Sequence, residues 1–266
     1  MKVSWNRWLI ILICALFNLS FEYSARGVAQ FVSRPLFMLA LFGIYLTYFA
    51  MLEDVIVRYH LTNYQLFLVA FLYGLLPTAF FTGNLFNHKI YWGIVVAGVN
   101  VGTVFIIGIL AWGVVQGMIT LYLANRLSPR DWDHPRMGPI GWVVCVIYQV
   151  AVLAYAHTNP VTPRGTPIGY VTLAILVLIP AVLLVWSLRS SKGKARPFQP
   201  SIVMDILAFG SVFVYLVLGT CLAFGPQIVT SQPLNELAVK LENVWVFVSG
   251  LVFFPYRLLK RSDVTV

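Results

Sequence analysis

Charge is what this chain has least of. Asp, Glu, Lys and Arg make up 10% of its 266 residues and hydrophobic residues 60%, whereas a soluble domain carries roughly a quarter charged residues. So low a charge density excludes a water-facing surface over most of the molecule. Cysteine is nearly as scarce. Cys14, Cys145 and Cys221 each sit in an apolar run without a CxxC partner, which argues against a disulfide framework or a thiolate metal site. The four histidines, His60, His88, His134 and His157, include no His-x₃-His pair, so neither zinc nor haem ligation is predicted and no cofactor is expected. Gly-x-Ser-x-Gly and Gly-x-x-x-x-Gly-Lys-Ser/Thr are both missing, which removes the usual evidence for a serine hydrolase or a nucleotidase.

What is present is apolar length. A spanning helix needs about 20 mostly apolar residues. Windows of that size predict spans at 7–25, 35–57, 63–83, 90–126, 139–157, 168–188, 202–224 and 237–256. The predicted fold is therefore all-α: one polytopic domain over 1–266, a bundle of about eight transmembrane helices. A weak division is offered only by the basic linker 190–200.

Lys and Arg number 18 against 9 Asp and Glu, a balance that in a soluble protein would suggest nucleic acid. Here the positions follow the positive-inside rule. With the N-terminus inside, 13 of the basic residues fall on the cytoplasmic side and 5 (Arg26, Arg34, Lys89, Arg164 and Lys240) outside. Both termini and the 127–138 and 189–201 loops are thus expected in the cytoplasm. The partner this implies is the lipid bilayer of a cell membrane, and not nucleic acid.

Segment 90–126 would reach about 55 Å as one straight helix, beyond a hydrocarbon core of ~30 Å. A kink or break between Gly93 and Gly108 is expected, with the distal part forming the span. The GxxxG spacings Gly98–Gly102 and Gly113–Gly117 let helix backbones approach closely, within the bundle or against another membrane protein.

Ionisable residues within or bordering spans are costly, and they default to functional hypotheses. Topology sorts them into two sets. Glu53, Asp54, Arg58 and His60 close the second span at the face where Asp205 opens the seventh. Glu22 and Arg26 end the first span at the other face, where Glu236, Lys240 and Glu242 begin the eighth. Glu-Asp-x-x-x-Arg puts Asp54 and Arg58 on one helix face. This makes Glu53 and Asp54 the candidate catalytic acids, and Arg58 and Asp205 the candidate substrate-binding groups. The competing reading is an ion pair that simply ends a helix. Asn18, Asn100, Gln116, Gln149 and Asn243 are read as interhelical hydrogen-bonding residues.

The Glu53-Asp54-x-x-x-Arg58 stretch resembles the first motif, Glu-Glu-x-x-x-Arg, of the CAAX-protease and bacteriocin-processing family of intramembrane enzymes. There the glutamate activates a water and two later histidines complete the site. Phe71-Leu72-Tyr73-Gly74-Leu75-Leu76-Pro77 is similar to the family's Phe-Gly-Leu-Leu-His pattern, but Pro77 stands at the first histidine position and Tyr148 at the last. The resemblance covers about a third of the chain and implies a member without protease activity. Asn18-Leu19-Ser20-Phe21-Glu22 is similar to the Asn-x-x-Trp-Glu stretch of small integral-membrane terpene cyclases, which pair such a glutamate with a distant aspartate to protonate an epoxide or alkene. Asp205 is the obvious partner in sequence, yet the topology sets it at the opposite face.

Three function classes follow. The first is an enzyme or pseudoenzyme acting on a lipid, isoprenoid or membrane peptide at the cytoplasmic end of the second span. The others are a non-enzymatic assembly subunit and a small transporter component.

Overall fold

The computed structural model describes residues 5–128, 130, 132, 137–160, 162–190, 200–221 and 232–253. Without water to satisfy its N–H and C=O groups, an apolar run must bond internally. The long runs accordingly become helices: α1 (Trp5–Ser33, kinked at Gly27), α2 (Pro35–Tyr59), α3 (Asn63–Phe81), α4 (Val101–Leu127), α5 (Pro139–Thr158), α6 (Pro167–Ser190), α7 (Ile202–Cys221) and α8 (Gln232–Phe253). Pro35, Pro139 and Pro167 open their helices, where a missing N–H costs nothing. Thr62 and Gln65 form a reciprocal capping box at the start of α3.

Among the described residues, seven helices, α1 to α7, are long and apolar enough to cross a membrane. The predicted eighth span corresponds to α8, a 22-residue helix whose Glu236, Lys240 and Glu242 dilute its apolar character. The architecture is an all-α polytopic bundle.

The segment 90–126 breaks where its glycines begin. Val95–Val96 (β1) and Val99–Asn100 (β2) pair antiparallel around Ala97 and Gly98, both at positive φ (47° and 78°), as a two-residue hairpin turn requires. The Asn100 side chain then caps α4 by accepting from the Thr103 N–H at 3.0 Å. From Val104 to Ile119 α4 is a π-helix, a wide form that usually appears as a single turn and often at functional sites.

Of the seven helices α1 to α7, α4 is the most buried. It packs against α3 and α8, and the α1–α2–α7 group closes around it. Small residues make this possible: a Cβ on Gly113 would stand 2.7 Å from the Phe67 ring, and one on Gly117 2.6 Å from Ala70 Cβ. Gly98 meets Gly169 and Gly102 meets the Tyr91 carbonyl. All four GxxxG glycines therefore serve contacts inside the chain.

Candidate functional site

The acids at the end of α2 face inward, and each is held by basic groups. Both carboxylate oxygens of Glu53 accept from Arg130, Nε to Oε1 and Nη2 to Oε2, each at 2.6 Å. The two side chains are only 2% and 1% exposed. The Arg130 guanidinium also lies 5.5 Å from the Trp132 ring centroid, and Trp132 stacks on His60. Asp54 collects donors from three directions. Arg7 of α1 reaches it at 3.1 Å, Arg58 one turn along α2 at 2.8 Å, and the Trp142 indole of α5 at 3.0 Å; the backbone N–H of Met137 completes the set. A buried charge is tolerable only when paired and hydrogen-bonded in this way. The arrangement fastens the start of α1, the end of α2 and the approach to α5.

Asp205 does not join them. It accepts from Arg126 Nε at 2.9 Å and from the Tyr122 hydroxyl at 2.6 Å, a separate clasp between α4 and the start of α7. Of the four site residues expected from the sequence, Glu53, Asp54 and Arg58 come together and Asp205 lies apart. Sequence reasoning missed Arg130 and Arg7 as partners. Face sorting had put both at the same face as Glu53 and Asp54, but sidedness alone does not pair residues.

Three residues of the second charge set, Glu22, Arg26 and Glu242, line a cavity of about 240 Å³ toward the other face of the bundle, formed by α1, α2, α3, α4, α8 and the 82–100 segment. Glu22 Oε1 accepts from the Tyr45 hydroxyl at 2.7 Å, and Oε2 accepts from Arg26 Nε at 2.7 Å, one turn on along α1. Glu242 of α8, only 3% exposed, accepts from the Ser24 hydroxyl. It makes no salt bridge among the described residues. The π-helical stretch of α4 supplies Ile107, Ala111, Trp112 and Gln116 to one wall, since bonding from i to i−5 sets residues four or five apart on one side. Phe21, Phe81 and Tyr91 add aromatic surface.

Tyr91 and Trp92 have positive φ of 43° and 69°, unusual for bulky residues and a mark of local constraint at functional sites. Asn100 steadies this turn by donating to the Asn87 and Ile90 carbonyls at 2.7 and 2.8 Å. Burial, reinforced by nearby Glu242 and opposed by a hydrogen bond with Asn243, pushes the Tyr91 phenol up to about 12. It therefore remains a hydrogen-bond donor at neutral pH.

Glu22 and Asp205 are far apart, as the topology predicted. Tyr23 bonds Thr220 at 3.1 Å near the end of α7, and Asp205 lies in the first turn of that helix, about 22 Å away at 1.5 Å per residue. The acid that shares the cavity with Glu22 is Glu242. Among the described residues no His, Cys, Asp and Glu group could hold a metal ion. Family models, characterised proteins and solved structures were all compared with the chain, and none matches it.

Proposed function

We propose that this protein is an intramembrane enzyme that isomerises an isoprenoid lipid by acid–base chemistry, in the cavity between Glu22 and Glu242. The observation that carries the reading is the convergence of two carboxyl groups on one aromatic-walled cavity inside an apolar bundle. It replaces the end of α2 as the reacting centre, because Glu53 and Asp54 are already fully engaged in holding helices together. The likeness of Asn18–Glu22 to the terpene-cyclase stretch supports the same choice, with Glu242 in the place of the distant acid.

Moving an unpaired carboxylate out of water costs far more than moving a carboxylic acid. Glu242, with a hydroxyl and no arginine, is therefore assigned as the proton donor. Glu22, fixed by Arg26 and Tyr45, is the anion that steadies positive charge forming on carbon. With an epoxide substrate, Glu242 protonates the ring oxygen and the C–O bond breaks toward the more substituted carbon. A neighbouring alkene pair closes the new ring, and a C–H proton returns to Glu242. The oxygen stays in the product as a hydroxyl, so atoms balance with no cofactor.

Purified protein in lipid nanodiscs is expected to convert a terminal epoxide of farnesol to a cyclic diol of equal mass, followed by gas chromatography and mass spectrometry. Glu242→Gln should lower the rate by about 10²–10⁴-fold, the usual contribution of a general acid, without loss of folded protein. An unreacted epoxide with the unaltered protein, or full turnover in Glu242→Gln, would refute the assignment.

Eight spans with both termini cytoplasmic are part of this reading, supported by the distribution of Lys and Arg. In a background with Cys14, Cys145 and Cys221 replaced by Ala, a cysteine at Ser190 should resist a membrane-impermeant maleimide in intact cells and react once the membrane is opened. Labelling in intact cells would invert the arrangement.

A further inference from the structure

We propose that the cavity also binds a lipophilic organic cation, an alkylammonium, between Glu242 and the aromatic walls. The inference rests on the cavity proposed above as the reacting centre, but not on turnover there. Its basis is a count of charge. Arg26 is committed to Glu22 at 2.7 Å, and its guanidinium is packed 5.1 Å from the Phe37 ring centroid. Glu22 is thereby balanced within α1. Glu242 is left with the Ser24 hydroxyl, while the other elements bring Tyr45, Tyr91, Trp112 and Gln116 to the cavity, none of them positive. Glu242 therefore faces the cavity with no salt-bridge partner among the described residues, and an ammonium entering beside it supplies the counter-ion against which the acid gives up its proton.

Tyr and Trp faces attract cations through the ring quadrupole, most strongly where water is excluded. Tyr45 and Trp112, whose ring centroids lie 6.0 Å apart with planes tilted by 34°, both line the cavity. The cavity measures about 240 Å³. It suits a compact ammonium head with the first carbons of its chain. An ammonium also carries the charge that ring closure places transiently on carbon, so one set of walls serves both.

The probe is dodecyltrimethylammonium below its micellar concentration, with protein in nanodiscs of neutral lipid; dodecanol and dodecyl sulfate, equal in chain length, are the comparisons. At ten times its dissociation constant the ammonium should raise Tm by about 3–5 °C, and the alcohol and the sulfate should not. Glu242→Gln should abolish the shift, while Lys89→Gln, at an exposed loop residue, should keep it. Equal shifts for ammonium and alcohol, no shift at all, or a shift that survives in Glu242→Gln would overturn the proposal. The two readings separate cleanly. A cation-specific shift without epoxide turnover leaves a cation-binding cavity and removes the enzyme, whereas turnover without the shift removes the cation site alone.

Discussion

Arg130→Met should destabilise the protein by about 3–5 kcal/mol, the cost of leaving a buried partner charge uncompensated. The Glu53 and Arg130 side chains are 2% and 1% exposed and joined by two parallel bonds of 2.6 Å, so water cannot take the place of the missing guanidinium without opening the packing around α2. Glu53→Leu should fall by a similar amount for the mirror-image reason. The double variant Glu53→Leu/Arg130→Met should recover most of the loss, because two apolar side chains of similar volume often replace a buried pair at little cost. Unfolding by dodecyl sulfate titration in mixed micelles gives the full double-mutant cycle. A single variant within about 1 kcal/mol of the parent would show that the pair is hydrated and not a fastening. A further variant discriminates function: if Glu53 were the reacting acid, Glu53→Gln would lose turnover with stability intact, and here the opposite is expected.

Asp54→Ala should cost about 2–4 kcal/mol. Its carboxylate accepts from Arg7, Arg58, the Met137 N–H and the Trp142 indole, and these donors do not suffer equally. Arg7 and Arg58 are 15% and 31% exposed and can turn to water, so each accounts for little. The Met137 amide and the Trp142 indole are less able to do so, and an unsatisfied buried donor costs about 1–3 kcal/mol. Asp54→Asn keeps one acceptor oxygen and should fall between alanine and the parent. Limited proteolysis of the 128–138 loop offers an independent check, since losing the Met137 bond should speed cleavage there. Unchanged cleavage and unchanged unfolding in Asp54→Ala would contradict the assigned role.

The helices were legible because apolar length is a direct consequence of bilayer thickness, and Pro35, Pro139 and Pro167 stood where helices begin. Side-chain direction was not. Glu53 and Asp54 are adjacent in sequence yet serve different partners, Arg130 and the Arg7–Arg58–Trp142 group, and no spacing rule chooses between those outcomes. The π-helical form of α4 left no readable mark, since Gly113 and Gly117 fit an α-helical packing face equally well. The hairpin at 95–100 was hidden for a different reason. Its valines extend the apolar run, so hydropathy merged it with α4, and only the Ala97-Gly98 pair hinted at a turn. Glu22, Arg26 and Glu242 had been placed at one face of the bundle. Their meeting in one cavity depends on α8 lying against α1 and α4, a tertiary fact that sidedness does not contain.

The partners Glu53 and Arg130 lie 77 positions apart in the chain. A ribosome adding about 5–20 residues per second makes Glu53 some 4–15 s before its counter-ion. During that interval α2 must either stay at the water-lined flank of the insertion machinery or enter the bilayer with a bare acid. A chain stalled before residue 130 is therefore expected to hold α2 with Glu53 protonated or hydrated, without the partner that fastens it in the finished bundle.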